Sequence, residues 1–153
     1  MATEDAHPEL PLDPDVGPLH PLLLVLVALG GAAGTATRYA VGLALPSGTG
    51  FPRGTLLVNL VGCFVLGALL EALAASSDLG LRRRLRLMLG TGFCGGLTTY
   101  STFAVEADLL VHHSRPGVAA AYVVVSVIGG LFTAALGVSM AARVRTLAAQ
   151  VPE

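Results

Sequence analysis

Residues 90–103 read GTGFCGGLTTYSTF, and the interpretation of the whole chain depends on this stretch. It lies inside an apolar segment long enough to cross a membrane, yet it is rich in glycine and in hydroxyl-bearing residues. Glycine is the poorest ordinary helix former, so the adjacent pair Gly95 and Gly96 predicts that the helix opens there. Backbone that leaves a helix at membrane depth is tolerated where it is buried in protein or lines a watery path. We therefore interpret this stretch as the functional centre.

The composition indicates an integral membrane protein with one domain. Of its 153 residues, 54% are hydrophobic and 12% are charged, whereas a soluble domain has about 25% charged residues. The net charge of −1 gives no support for nucleic-acid binding. The sequence shows no spacing typical of a nucleophile with its base, of a phosphate loop or of a metal-ligand cluster. We therefore do not expect an enzyme.

Four apolar spans account for most of the chain, and each is long enough to cross a hydrocarbon core of roughly 30 Å. We predict an all-α integral membrane fold with four transmembrane helices, the third broken near its middle. This membrane domain covers residues 22–142. The predicted spans cover residues 22–45, 54–76, 85–111 and 118–142.

The two ends of the chain differ from the spans. Residues 1–21 contain five prolines and five acidic residues. Such a segment cannot bury enough apolar surface to order itself, so we predict a disordered acidic N-terminal tail. All nine cations are Arg, and six of them lie on the side of the membrane that holds both termini. Excess Arg marks cytoplasmic loops, so both termini, including the C-terminal tail at residues 143–153, are predicted to be cytoplasmic.

Several polar side chains are predicted to lie inside the spans. Arg38 is in the first span, where a cation either faces a partner or cavity or extends to the helix end. Asn59 is in the second span, where it either joins helices by hydrogen bonds or offers its amide N–H to an anion. Tyr122 and Ser126 follow one another at a spacing of four on the fourth span, so they share a face.

Hydroxyls, one amide and two aromatic rings inside the spans favour a path for a small anion. Hydroxyl and amide groups donate hydrogen bonds, and the edges of aromatic rings are positive. Tyr100 and Phe103, three residues apart on a helix, present two rings along one face. Carbonyls freed at Gly95 and Gly96 would instead suit a cation. A kinked helix whose Ser and Thr side chains satisfy its own backbone also explains these residues, so the residues alone leave both interpretations open.

The motif GFCGGLTTYSTF at residues 92–103 resembles the signature of the Fluc/CrcB fluoride channels, which usually reads GFCGGLTTFSTF. The resemblance extends over all four spans, from about residue 22 to residue 142. The other matching positions are residues 30–34 with Arg38 and Tyr39, residues 54–56, 58, 59 and 62, and Tyr122 with Ser126 and Gly130.

The resemblance implies a fluoride-specific ion channel in the cell membrane, which passively lets fluoride leave the cytoplasm and so lowers its toxicity. It also implies an antiparallel dimer with two fluoride pores and a structural sodium ion (Na+) at its centre. The backbone carbonyls of Gly95 and Thr98 would hold the sodium ion, and Arg38 would lie in a vestibule that draws in anions. The fluoride pore would be lined by Asn59, Tyr100, Ser101, Thr102, Phe103, Tyr122 and Ser126.

Two features distinguish this chain from the usual family pattern. Tyr100 replaces the usual Phe, and its hydroxyl could donate to fluoride or narrow the path. The strong Arg asymmetry favours a chain of fixed orientation. We therefore expect it to pair with an inverted homologous chain encoded separately, and otherwise with itself, in contact with membrane lipid.

Two alternative functions belong to other classes. The first is a small four-span proton-coupled multidrug exporter, which needs an acid deep in its first span. Residues 22–45 contain Arg38 but no Asp or Glu. The second is a non-conducting structural subunit of a channel heterodimer, in which Tyr100 would mark the specialised chain.

Overall fold

The computed structural model describes residues 21–47, 50–74 and 80–148, and the secondary structure of these residues is helical. Three helices are long and apolar enough to cross a membrane by length and composition. They confirm the predicted all-helical membrane fold in its coarse form, a multi-pass membrane protein. These helices are α1 (Pro21–Ala44), α2 (Arg53–Ala74) and α5 (Pro116–Ala148).

The limits of these three helices lie close to the predicted spans, except at the C-terminal end. There α5 continues to Ala148, so residues 143–148, predicted as a tail, are helical. Residues 1–20 of the predicted acidic tail lie outside the described residues, as do residues 75–79 and 149–153.

The remaining predicted span, residues 85–111, is not a single helix. It is divided between α3, residues 81–97, and α4, Tyr100–His112. Within α3, a π-helical segment (Arg86–Cys94) joins two short α-helical segments, Leu81–Leu85 and Gly95–Leu97.

The two residues between α3 and α4 are extended. Thr98 has φ −80° and ψ 157°, and Thr99 has φ −150° and ψ 125°. Gly95 has helical angles, φ −63° and ψ −38°, and Gly96 lies in the same helical segment. The prediction that the helix opens at Gly95 and Gly96 is therefore wrong in position, because the non-helical residues are the two threonines.

Glycines let α1 and α3 approach each other closely. A Cβ added at Gly30 or Gly34 would overlap the backbone oxygens of Met88 or Phe93. From the other side, a Cβ at Gly96 would overlap the backbone oxygen of Gly31. Small residues at a helix interface allow such approach, so this seam fixes α3 against α1 just before the extended threonines.

A second glycine seam joins α2 to α5. A Cβ at Gly67 would overlap the backbone oxygen of Ala134, and a Cβ at Gly137 would overlap that of Phe64. At the end of this seam the Arg145 guanidinium lies 2.7 Å from the Glu71 carboxylate. The two seams thus form two helix pairs, α1–α3 and α2–α5, that leave a polar region between them around Thr98 and Thr99.

Few side chains are buried within the single chain. The largest buried cluster contains Tyr122, which is fully buried, with Leu110 and Ala119. Many large apolar side chains of the long helices are exposed. Lipid or another chain must therefore cover these surfaces, since exposed apolar area of this extent marks a membrane or protein interface.

Candidate functional site

The Asn59 amide pairs with the backbone of Thr99. Its Nδ2 donates to the Thr99 carbonyl at 3.1 Å, and its Oδ1 accepts from the Thr99 N–H at 2.8 Å. Thr99 is only 8% exposed, and buried backbone groups left unpaired are costly. The side chain of α2 therefore satisfies the extended backbone between α3 and α4. One of its two N–H donors remains for a further partner.

The Thr99 hydroxyl caps α4. Its Oγ1 accepts from the Thr102 N–H at 3.2 Å, and it also lies 3.0 Å from the Thr102 hydroxyl and 3.3 Å from the Ser101 hydroxyl. Thr is a favoured residue for this capping role, because its side-chain oxygen satisfies an otherwise orphaned N–H of the first turn. The Thr98 hydroxyl points the other way and donates to the Cys94 carbonyl at 2.9 Å.

A cavity of about 490 Å³, which we call the break cavity, lies beside the extended threonines. The Ser126 hydroxyl oxygen in its wall is buried and has no hydrogen-bond partner among the described residues. The described lining residues include no charged side chain. Six of the predicted site residues come together here: Asn59, Gly95, Thr98, Tyr100, Phe103 and Ser126.

A second cavity of about 390 Å³, which we call the arginine cavity, shares Thr99 with the break cavity. It holds two further predicted residues, Arg38 and Thr102. Arg38 is half-buried and makes no ion pair or hydrogen bond within the described part of the chain. Of the described lining residues, Thr99 is common to both cavities.

Glu106 organises one side of the arginine cavity and was missed as a site residue by sequence reasoning. Its carboxylate accepts from the Thr55 and Tyr122 hydroxyls, each at 2.9 Å, and from the Ser47 hydroxyl at 3.5 Å. The available signal was its position inside the predicted third span, where an acid must find polar partners. Its partners are remote in sequence and could not be assigned.

Two predicted pore residues lie outside both cavities. Tyr122 is fully buried, and its hydroxyl donates to Glu106. Ser101 is exposed at the start of α4. Neither side chain is among the lining residues of the break cavity or the arginine cavity.

Aromatic rings continue from the break cavity into the buried cluster. The Tyr100 and Phe103 ring centroids are 6.1 Å apart, and those of Phe103 and Tyr122 are 5.1 Å apart. The rings are tilted at 41° and 48°, so edges as well as faces are presented. Tyr100 is 82% exposed. It therefore leads the row of rings out to the chain surface.

Comparison with known proteins identifies the family. Residues 25–138 match the family model described as "CrcB-like protein, Camphor Resistance (CrcB)". A protein of Rhodococcus jostii named "Fluoride-specific ion channel FluC 2" is 48% identical over 116 residues, which cover 76% of this chain and 96% of that protein.

Two further relatives carry similar names. "Fluoride-specific ion channel FluC" of Prosthecochloris aestuarii is 42% identical over 77% of this chain and 91% of its own length. "Fluoride-specific ion channel FluC 1" of Cutibacterium acnes is 47% identical over 74% of this chain and 81% of its own length. As the motif at residues 92–103 predicted, the chain belongs to the CrcB family.

Proposed function

We propose that this chain conducts fluoride through the membrane and lets it leave the cytoplasm passively. The relatives are named as fluoride-specific ion channels, so the family is one of channels and not of enzymes. The observation that carries the proposal is the break cavity, where an amide, two aromatic rings and a buried hydroxyl converge; among the described residues this hydroxyl has no hydrogen-bond partner and the lining carries no charge. Such donors can replace the water around a small, strongly hydrated anion.

The proposed path joins the two cavities across Thr99. Arg38, without an ion-pair partner among the described residues, would raise the local anion concentration at the arginine cavity. Fluoride would then pass the Thr102 and Thr99 hydroxyls to the free N–H of Asn59 and the hydroxyl of Ser126. Ser101 would contribute at the entrance to α4, and Tyr122 only when its hydroxyl leaves Glu106.

We infer that the channel is an antiparallel dimer. Tyr100 is 82% exposed beside the break cavity. Gly95 is also exposed, and outside its own stretch of helix no described residue comes within 4 Å of a Cβ built there. A polar, aromatic surface of this kind suits a second chain better than lipid, since polar groups facing hydrocarbon are costly.

The carbonyls of Gly95 and Thr98 fit a structural sodium ion. Both residues line the break cavity near the chain surface, and hard cations bind oxygen ligands. The described residues contain no group of three or more His, Cys, Asp or Glu that could hold a metal, which favours a backbone site. One chain offers too few oxygens, and an antiparallel partner would supply the same pair again. Bound there, the ion would link the two chains by electrostatic attraction.

The partner we propose is an inverted homologous chain, and otherwise a second copy, surrounded by membrane lipid. The Arg asymmetry of the sequence supports a fixed orientation in the cell membrane with both termini in the cytoplasm. The exposed ring of Tyr100 also supports a second possibility, that this chain is the specialised, non-conducting half of a heterodimer. The exporter alternative has no support from the named relatives.

Fluoride efflux from liposomes tests these proposals. The chain is reconstituted alone and with a candidate inverted homologue, and fluoride and chloride efflux are measured in parallel. We expect rapid fluoride efflux, little chloride efflux, and a large increase when the homologue is present. Full efflux by the chain alone would contradict the heterodimer, and absence of efflux in both preparations would contradict the channel. Proton flux driven by a drug gradient would instead support the exporter.

A further inference from the structure

We propose that Asn59 and Thr99 are positioning residues that keep the carbonyls of Gly95 and Thr98 free for the sodium ion. This inference rests on the proposed function, because it assigns roles toward the proposed sodium site. Neither side chain would need to touch the ion. Each would act by taking the backbone donor that would otherwise occupy one of the two carbonyls.

In a continuous helix two backbone donors would occupy these two carbonyls. In an α-helix the N–H of each residue bonds to the carbonyl four residues earlier. The Thr99 N–H would therefore bond to Gly95, and the Thr102 N–H would bond to Thr98. In the structure the Thr99 N–H donates to Asn59 Oδ1 at 2.8 Å, and the Thr102 N–H donates to Thr99 Oγ1 at 3.2 Å. Two side chains thus divert the two donors that belong to the two proposed sodium ligands.

The local sequence does not by itself forbid a helix at this place. Thr98 and Thr99 are ordinary residues with negative φ, and threonine disfavours a helix only weakly. A buried N–H without an acceptor is more costly than that preference. If Asn59 or the Thr99 hydroxyl were absent, the most accessible acceptors would be the carbonyls of Gly95 and Thr98. The helix would then close across the break and consume the sodium ligands.

Helix α2 presents a matching surface to the extended threonines. Besides accepting from the Thr99 N–H, Asn59 donates to the Thr99 carbonyl at 3.1 Å, so it fixes both ends of this residue. Gly62, almost one turn further along α2, leaves room for the Thr98 side chain, because a Cβ there would overlap Thr98 Cγ2. The break is therefore held by α2 as well as by its own cap.

The two ends of the Asn59 amide serve different sites, and substitutions can separate them. Oδ1 holds the Thr99 N–H, whereas the second N–H of Nδ2 is available to the break cavity. Asn59→Asp keeps the acceptor but loses the donors and adds a negative charge. Asn59→Leu loses both. In the same way, Thr99→Ser keeps the capping oxygen and Thr99→Val removes it with little change in shape.

Sodium binding is measured by the thermal stability of the channel purified in detergent, in its active assembly. Sodium replaces N-methyl-D-glucamine at constant ionic strength, and the half-saturating sodium concentration is read from the shift of the unfolding midpoint. Fluoride efflux is measured separately, after the same variants are reconstituted into liposomes. Thr133→Val is the matched control, because its hydroxyl donates only to the Gly130 carbonyl within α5.

We expect Asn59→Leu and Thr99→Val to raise the half-saturating sodium concentration about tenfold, as for loss of one good ligand contact. The half-saturating sodium concentration should stay within about twofold of that of the unmodified chain in Thr99→Ser, Asn59→Asp and Thr133→Val. Asn59→Asp should nevertheless lose fluoride efflux. Unchanged sodium response in the Leu and Val variants would overturn the proposal. If those variants do not fold, a tenfold weaker response in Thr99→Ser or Asn59→Asp would overturn it equally.

Failure of the sodium site itself gives a different result. The unmodified chain would then show no sodium-dependent shift, although fluoride efflux persists. That outcome would overturn the sodium part of the proposed function together with this inference. A saturable shift in the unmodified chain that no variant alters would overturn only the roles of Asn59 and Thr99.

Discussion

Gly95 and Gly96 remain helical, whereas Thr98 and Thr99, only a few residues further on, leave the helix. Glycine costs a helix about 1 kcal/mol relative to alanine, and threonine costs less. Intrinsic preference would therefore open the helix at the glycines. The neighbours reverse this order, because Gly96 packs against the Gly31 backbone while Thr99 meets the Asn59 amide.

Tertiary partners, rather than intrinsic helix preference, decide where this helix is interrupted. The glycines contribute close approach between helices, for which a regular helical backbone is required. The threonines contribute a backbone whose hydrogen bonds can be replaced by side chains. Substitutions can act separately on the glycine pair, Gly95 and Gly96, and on the threonine pair, Thr98 and Thr99.

The largest effect is expected for Asn59→Asp, because Asn59 holds the extended segment that contains Thr98 and Thr99. The change places a carboxylate on the proposed anion path and removes the amide donors. We expect fluoride efflux to fall by about a hundredfold or more, corresponding to about 2.7 kcal/mol. Efflux from liposomes measures this loss, with Thr133→Val as the control. Unchanged efflux would remove Asn59 from the path.

Gly96→Ala and Gly95→Ala compare the two members of the glycine pair directly. A Cβ at Gly96 overlaps the Gly31 backbone oxygen, whereas no described residue outside the local helix lies within 4 Å of a Cβ at Gly95. We expect Gly96→Ala to destabilise the fold by about 1–3 kcal/mol, and Gly95→Ala to leave the stability of the single chain nearly unchanged. Thermal unfolding in detergent measures both. Equal losses at the two positions would show that the packing account is wrong.

Phe103→Ile tests whether the resumed helix α4 contributes a ring to the path. Isoleucine keeps apolar volume but loses the positive ring edge and the contact with Tyr122. We expect fluoride efflux to fall about fivefold, equivalent to roughly 1 kcal/mol. Phe132→Ile, at an exposed position on α5, is the matched control. Equal effects of both changes would argue against a specific role for the Phe103 ring.

The smallest effect is expected for Thr98→Ala, which tests whether the Thr98 side chain has a role comparable to that of Thr99. The Thr98 hydroxyl only donates back to the Cys94 carbonyl, which already accepts from the Thr98 N–H. Its loss should cost at most about 1 kcal/mol of stability and leave fluoride efflux within about twofold. Efflux and thermal unfolding are measured together. A large loss of efflux would mean that the side chain, and not only the carbonyl, takes part.

The apolar runs of the sequence sufficed to predict α1, α2 and α5, because a long helix in lipid needs little beyond length and hydrophobicity. Of the residues that the motif at 92–103 singled out, Gly95, Thr98, Tyr100 and Phe103 line the break cavity, whereas Ser101 and Thr102 do not. The position of the break could not be predicted, since it depends on Asn59, forty residues earlier. The hydroxyls gathered on Glu106 come from three separate segments for the same reason.

The π-helical segment Arg86–Cys94 has a consequence for insertions and deletions. Its hydrogen bonds span five residues instead of four, so it holds more chain per turn than the flanking helix. Deleting one residue there would let the segment return to α-helical geometry without breaking the helix. Because the π-helical segment already takes up the additional residue, the arginines at its N-terminal end would keep nearly the same direction relative to the Gly96 seam, whereas a deletion in a regular α-helix would turn them by about 100°. The segment can therefore lose one residue without turning the cationic end of α3 around the helix axis, which a regular helix such as α4 cannot do.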